Sequence, residues 1–196
     1  MRRPLWIFSL ALAVFWVWTM PARAESPTAY ARGILDKVMS LQNGAALSSQ
    51  ARANAIHGII ERSFDFAMMA KNSLGSTYDS ISAGQRQDFT STFSYLFQDS
   101  YTRLVLNFLK KENIQYGAER REGDRAQVAT TIVRPNENIP VTYLMHATGQ
   151  GWILYDVIVD GVSILHNYQT QFGQAIRTKS FGFLLNKMEE QRRALQ

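Results

Sequence analysis

The chain of 196 residues is long enough for one globular domain with a substantial core. With 46% hydrophobic and 19% charged residues it has the composition of a folded protein rather than a disordered one. It contains no cysteine, which excludes disulfides, thiolate metal sites and a cysteine nucleophile, and its formal net charge is +5.

The first 24 residues have the pattern of an export signal. Arg2 and Arg3 precede the apolar run 5–20, and Pro21 then leads into the Ala-Arg-Ala sequence 22–24. This order is typical of a cleaved secretory signal, and the run is shorter than the ~20 residues of a membrane span. We therefore expect cleavage after residue 24, a single domain over 25–196, and a periplasmic protein. Cleavage would leave 18 of the 21 basic residues against 16 acidic ones, so that the net charge of about +2 argues against a nucleic-acid partner.

The first half of the mature chain is predicted to be helical. Residue types that favour helix starts stand at Ser26-Pro27, Ser48 or Ser49, Ser63 or Asp65, and Ser82. The longest predicted helix covers 82–111, where apolar side chains recur at steps of three and four and the Ser82–Gln85 spacing matches a capping box.

The second half changes to a period of two, which is typical of strands. Alternating segments near 114–118, 126–132, 141–145 and 152–159 are separated by short turns, which predicts an antiparallel meander of about four strands. Two more helices follow, one carrying Leu165 to Ile176 and one beginning at Ser180. The expected fold class is α+β, with a sheet packed against N-terminal and C-terminal helices.

Residues suited to catalysis are few. His57, His146 and His166 lie on separate predicted elements without metal-ligand spacing, so no metal site is expected. Asp156 interrupts an apolar strand, and two interpretations of it stay open. It is either the general base of a small pocket enzyme or a structural carboxylate that accepts hydrogen bonds from backbone at the start of the next helix.

Four stretches, taken together and in order, carry a family resemblance. They are the run 152–172 (WILYDVIVDGVSILHNYQTQF), the segment 64–70 (FDFAMMA) followed by Leu74-Gly75, and the shorter motifs 82–86 (SAGQR) and 177–179 (RTK). The set resembles the MlaC-type family of periplasmic lipid carriers, also called toluene-tolerance auxiliary proteins. One departure is the sequence 180–183 (SFGF), where the family usually has a Gly-rich turn with an Asp.

The resemblance implies a curved sheet and helices that form an NTF2-like or cystatin-like roll around an apolar lipid cavity. It also implies a non-enzymatic carrier, without metal or cofactor, that holds a glycerophospholipid by its acyl chains. Its implied partners are an outer-membrane lipoprotein–porin assembly and an inner-membrane ABC transporter with MCE-domain subunits, which together maintain outer-membrane lipid asymmetry. A hopanoid-type carrier of the same family, and a pocket enzyme using Asp156, stay as alternatives.

Large apolar side chains at helical or strand spacing are the candidates for contact with lipid tails, although such residues also build ordinary cores. Residue type, period and the matching family segments together predict the following lipid-binding residues: Phe66, Met69, Leu74, Phe93, Phe97, Tyr101, Leu104, Tyr143, Val157, Val162, Leu165, Tyr168 and Phe172.

Overall fold

A computed structural model describes residues 25–44, 47–109 and 112–195. Helices come first in the described chain, a sheet follows, and two helices close it. The elements are α1 (Pro27–Asn43), α2 (Ser49–Ser63), α3 (Phe66–Leu74), α4 (Ser76–Ser80), α5 (Ala83–Phe108), β1 (Asn113–Glu122), β2 (Arg125–Val133), β3 (Asn138–Thr148), β4 (Gly151–Val159), β5 (Val162–Ser163), α6 (Ile164–Thr178) and α7 (Phe181–Ala194). The predicted α+β class is confirmed, while the predicted export signal at 1–24 lies outside the described residues.

Helix starts follow the predicted caps. The Ser82 hydroxyl accepts a hydrogen bond from the Gln85 backbone N–H, and the Gln85 side chain accepts one from the Ser82 N–H, which completes the capping box. Asp65, rather than Ser63, caps α3, because its carboxylate accepts a hydrogen bond from the Met68 N–H. The starts of these helices are therefore determined by the local sequence.

Gly75 separates α3 from α4, a short helix that the sequence did not predict. Its backbone has φ of +54° and ψ of −134°, a conformation that side-chain-bearing residues rarely adopt. This position needs glycine because of its dihedral angles, since a Cβ added there would meet no atom within 4 Å.

The end of α5 differs from the prediction, since the helix stops at Phe108 rather than continuing to residue 111. Leu109 is extended, with φ of −108° and ψ of 91°. The amide of Gln42 donates to the carbonyls of Val105 at 3.1 Å and Leu109 at 2.6 Å, and Arg134 donates to the Phe108 carbonyl at 2.7 Å. Side chains from two other parts of the chain thus satisfy carbonyls left open at the helix end.

The strands pair in sequence order, β1-β2-β3-β4-β5, and all pairs are antiparallel, which confirms the predicted meander. The sheet has five strands rather than about four, because Val162 turns back to pair with Val159 through the two-residue β5. Irregular register between Tyr116 and Glu119 in β1, and beside Leu144 in β3, bends the sheet.

The inner face of the sheet is defined by alternate buried residues of β2 and β3. Ala126 and Val128 lie opposite Met145 and Tyr143, and all four are buried. Helix α1 packs near β2, and the C-terminal half of α5 faces β2, β3 and β4. Within the described ranges, no helix is both long enough and apolar enough to span a bilayer.

Candidate functional site

An apolar cavity lies between the C-terminal half of α5 and the inner face of β2, β3 and β4. Its volume is about 170 Å³. At its mouth Leu104 is 36% exposed and Phe108 is 49% exposed. The cavity is lined by Tyr101, Leu104, Val105, Phe108, Leu109, Ile132, Arg134, Ile139, Val141, Tyr143, Val157 and Val159.

Strand register builds the sheet wall of the cavity. Tyr143 lies opposite Val157, and Val141 lies opposite Val159, so that two consecutive cross-strand pairs of β3 and β4 face α5. Because side chains two residues apart in a strand share a face, the β2–β3 pair of Ile132 and Ile139 extends the same wall. The wall is therefore continuous across three strands.

Helical spacing builds the opposite wall. Tyr101 and Val105 are four residues apart, Leu104 and Phe108 form a second row beside them, and Leu109 continues the wall just beyond the helix end. Residues four apart lie one above the other on a helix, so both rows face the sheet along the last two turns of α5.

Two tyrosine hydroxyls bring polarity into the cavity without charge. Burial raises the pKa of Tyr101, and the nearby negative charge of Asp156 raises it further. Burial also raises the pKa of Tyr143 well above its ordinary value, despite a hydrogen bond with Thr130. Both phenols are therefore neutral at physiological pH. Neutral hydroxyls in the cavity wall disfavour contact with hydrocarbon less than ionised groups would.

Tyr101 also belongs to a group of rings in mutual contact, which we call the aromatic cluster. Its ring centroid lies 5.5 Å from that of Phe97 and 5.4 Å from that of Phe64. Most members are buried, and Phe93 and Phe97 are at most 2% exposed. The cluster, which forms the core next to the cavity, comprises Phe64, Phe66, Phe89, Phe93, Phe97, Tyr101, Tyr168, Phe172 and Phe181.

The residues predicted to contact lipid fall into four environments. Tyr101, Leu104, Tyr143 and Val157 line the cavity. The other aromatic residues, Phe66, Phe93, Phe97, Tyr168 and Phe172, belong to the aromatic cluster, and Phe93, Tyr168 and Phe172 also border a second pocket between α5, α6 and α7. Met69, Leu74 and Leu165 are buried elsewhere in the core, and Val162 is 60% exposed on β5, apart from the cavity.

Several cavity residues were not predicted from the sequence. The period of two places Val141 on the face of Tyr143 and Val159 on the face of Val157, so alternation alone could have identified both. Arg134 lies in the loop after β2, and no local pattern indicated that it would reach the mouth of the cavity.

Asp156 has the surroundings of a structural carboxylate. Its oxygens accept hydrogen bonds from the Val157 N–H at 2.8 Å, the Ser163 hydroxyl at 2.5 Å and the Leu165 N–H at 3.0 Å. It is 5% exposed and does not line the cavity. The carboxylate thus accepts three hydrogen bonds, two of them from residues at the start of α6. This supports the structural interpretation of Asp156 over the catalytic one.

The structure pairs one histidine with a carboxylate that is distant in sequence. His146 Nε2 lies 2.9 Å from Asp65 Oδ2 and ties the end of β3 to the N-cap of α3. The spacing of 81 residues gave no sign of this pair. In the described parts of the chain, no three histidine or acidic side chains come together as metal ligands would.

Arg134 is the only charged residue among the described side chains that line the cavity. Its guanidinium donates to the Phe108 carbonyl at 2.7 Å and to Glu137 Oε1 at 2.8 Å, and its Nε lies 3.5 Å from Glu112 Oε1. The Arg134 side chain is 21% exposed, and its Cζ lies 5.6 Å from the centre of the Phe108 ring. In the part of the chain that the structure describes, the mouth therefore combines an apolar rim with a guanidinium that is paired with two carboxylates.

Together the fold and the site define an α+β domain in which a meander sheet and one long helix enclose an apolar cavity. Such a cavity, whose described lining is apolar apart from two tyrosine hydroxyls and Arg134, is suited to the hydrocarbon part of a ligand. The family model described as MlaC protein matches residues 32–190. The chain belongs to the MlaC family.

Individual relatives agree with this family. The chain is 28% identical over 123 residues to the intermembrane phospholipid transport system binding protein MlaC of Haemophilus influenzae, a match that covers 60% of this chain and 57% of that protein. The aligned region thus spans less than two thirds of the relative's length. The solved structure of a phospholipid-binding protein from Ralstonia solanacearum, in complex with a phospholipid, is similar with a TM-score of 0.73 at 20% identity. That similarity covers 85% of this chain and 97% of the other, and at this identity it concerns the fold.

Proposed function

We propose that this protein is a periplasmic carrier that binds a glycerophospholipid by its acyl chains. It would exchange this lipid with an outer-membrane lipoprotein–porin assembly and with an inner-membrane ABC transporter that has MCE-domain subunits. The exchange would maintain outer-membrane lipid asymmetry. The proposed role involves no catalysis, metal or cofactor, and the lipid is cargo.

The apolar cavity between α5 and the sheet is the observation that carries this proposal. Its walls are aliphatic and aromatic, and Tyr101 and Tyr143 add only neutral hydroxyls. The two relatives, one a phospholipid transport component and one a phospholipid-binding protein, agree with a lipid ligand.

The energetics of the cargo explain why a carrier needs such walls. Each methylene exposed to water costs about 0.8 kcal/mol, so two chains with roughly 30 methylenes cost on the order of 20 kcal/mol. A cavity about as apolar as a bilayer keeps the free energies of loading and unloading close to balance. A catalytic pocket would instead need reactive groups that converge on the ligand, and the carboxylate of Asp156 is occupied by backbone and Ser163.

The size of the cavity implies that it widens when lipid enters. Ligand pockets for drug-sized molecules measure about 300–1,000 Å³, and two acyl chains are larger than such ligands. The observed 170 Å³ holds only part of them. We infer that the last turns of α5 move away from β3 and β4 during loading, since these elements form the two walls.

Native mass spectrometry of the protein after incubation with phospholipid vesicles tests the proposal. We expect one two-chain lipid per protein, and its fragments will distinguish a glycerophospholipid from a hopanoid. A Leu104→Glu variant is expected to carry about tenfold less lipid, because an ionised group at the mouth would have to be desolvated beside the tails.

Leu47→Glu is the matched control, since Leu47 is similarly exposed at 39% and lies outside the cavity. It should carry as much lipid as the unaltered protein. If the unaltered protein emerges from the incubation without lipid, the carrier function is wrong. Equal loading of both variants would instead place the tails outside this cavity.

A further inference from the structure

The guanidinium of Arg134, at the mouth of the cavity, makes no favourable interaction with acyl chains. Arg134 is held there by the Phe108 carbonyl on one side and by Glu112 and Glu137 on the other. An apolar cargo gains nothing from a guanidinium, and a cation at the rim of an apolar cavity carries a desolvation cost when a ligand covers it. Its contacts with Phe108, Glu112 and Glu137 leave further N–H donors at the rim, which can bind an anionic group on the ligand.

The geometry of arginine fits a phosphodiester. A guanidinium has five N–H donors in a planar fork, which matches the spacing of phosphate oxygens. Here one N–H donates to the Phe108 carbonyl and another to Glu137, while the contact with Glu112 is longer, at 3.5 Å. The fork therefore has donating capacity beyond these two short bonds.

The depth of the side chain fits the boundary between lipid tail and headgroup. Arg134 is only 21% exposed and lines the same cavity as Tyr143 and Val157. Phe108 lies beside its guanidinium and is half exposed, so the transition from apolar wall to water occurs at this pair. In a lipid held by its tails, the phosphate is the first charged group outside the hydrocarbon.

We infer that Arg134 is the residue that binds the lipid phosphate, and that it makes this protein prefer phospholipids over neutral two-chain lipids. This inference rests on the proposed carrier function and adds a headgroup contact to it. On loading, the phosphodiester takes up the free donors of Arg134, and movement of α5 releases the donor now given to Phe108.

The experiment compares two ligands with identical acyl chains, phosphatidylethanolamine and diacylglycerol, which differ by the phosphate-bearing headgroup. Protein is equilibrated with mixed vesicles that contain both, and the ratio of bound lipids is read by native mass spectrometry. We expect Arg134→Gln to lower the preference for phosphatidylethanolamine about tenfold, as for loss of a charge-assisted hydrogen bond at a partly exposed site. Arg134→Lys keeps the charge and should retain part of the preference.

Arg121→Gln is the matched control, because Arg121 is also ion-paired, with Glu119 at 2.7 Å, and lies on β1 outside the cavity. It should keep the ratio of the unaltered protein. Circular dichroism of each variant verifies that the fold is intact, and Arg134→Ala provides the test if Arg134→Gln does not fold.

The outcomes distinguish a failure of the proposed Arg134 contact from a failure of the proposed carrier function. An unaltered ratio in folded Arg134→Gln, or in folded Arg134→Ala should the glutamine variant fail, overturns the role of Arg134 and leaves the carrier function standing. Absence of both lipids from the unaltered protein overturns the carrier function itself. Excess inorganic phosphate should not change the ratio of bound phosphatidylethanolamine to diacylglycerol, since inorganic phosphate has no acyl chains. Loss of the preference for phosphatidylethanolamine in inorganic phosphate would instead show that Arg134 binds a free anion.

Discussion

The carboxylate of Asp156 in β4 accepts a hydrogen bond of 3.0 Å from the backbone N–H of Leu165 in the first turn of α6. The same carboxylate also accepts from the Ser163 hydroxyl, which itself caps α6 by accepting from the His166 N–H. One buried acidic side chain thus joins the sheet to the helix that follows it, and satisfies backbone donors that the helix start leaves open.

Asp156→Asn is therefore expected to lower the free energy of unfolding by about 1–3 kcal/mol. The asparagine oxygen can take the place of Oδ1, which accepts from the N–H groups of Val157 and Leu165, but its NH₂ then takes the place of Oδ2, so the Ser163 hydroxyl loses its acceptor. Urea unfolding measures the loss. Asp160→Asn, in the exposed turn after β4, should change stability little. A fully stable Asp156→Asn protein would revive the catalytic interpretation of this residue.

The amide of Gln42 is expected to hold the end of α5 against α1. It donates to the carbonyls of Val105, Leu106 and Leu109, at 3.1, 3.3 and 2.6 Å. Gln42→Ala removes this donor and should cost about 1–3 kcal/mol, since the partly buried carbonyls of Leu106 and Leu109 lose it, while the Val105 carbonyl keeps the Leu109 N–H. Hydrogen exchange should accelerate in the last turn of α5 more than in its first turn.

Gln50→Ala is the comparison for this variant, because Gln50 donates only to exposed Asn54 within α2. It should leave both stability and exchange of α5 unchanged. Uniform acceleration of exchange along the whole of α5 in Gln42→Ala would mean that Gln42 acts on global stability and does not anchor the helix end.

Two glycines should respond in opposite directions to the same substitution. Gly75→Ala is expected to cost on the order of 1–3 kcal/mol, because φ of +54° with ψ of −134° strains any residue with a Cβ. Gly33→Ala lies within α1 with no atom within 4 Å of the added Cβ, and should stabilise the protein by about 0.5–1 kcal/mol. Thermal unfolding of both variants checks the signs, and a stabilised Gly75→Ala protein would contradict the backbone conformation described for this residue.

Features of the fold could be predicted from the sequence where the residues that determine them are close together in the chain. Ser82 and Gln85 form a capping box because their partners are three residues apart, and the meander follows from short turns between alternating segments. The end of α5 was misplaced because its carbonyls are capped by Gln42 and Arg134, which are distant in the chain.

The cavity was predicted only in part for a related reason. Residue type identified Tyr143 and Val157, and alternation could have added Val141 and Val159, but the position of Arg134 depends on its contact with Phe108, which is 26 residues away in the chain. Composition likewise did not separate Phe97, which packs in the aromatic cluster, from Tyr101, which lines the cavity one turn further along α5. A ring on an apolar helix face has the same pattern in both environments.

The buried phenols of Tyr101 and Tyr143 predict a loss of stability in alkaline solution. Their pKa values are raised in the folded state above the ordinary value of 10.0, chiefly by burial. Below pH 10 both states bind the phenolic protons, and the stabilising contribution is complete. Above pH 10 the unfolded chain releases protons that the folded protein retains, so the free energy of unfolding falls as pH rises.

Urea unfolding at pH 8, 10 and 11 is expected to show this fall in the free energy of unfolding. The fall should be smaller in a Tyr101→Phe, Tyr143→Phe double variant, because phenylalanine has no proton to release. Tyr155→Phe is the comparison, since Tyr155 is half-buried on β4 and does not line the cavity. Its profile should follow that of the unaltered protein. An equal alkaline loss in the double variant would show that other groups cause it, and would contradict the assignment of neutral, buried phenols to the cavity walls.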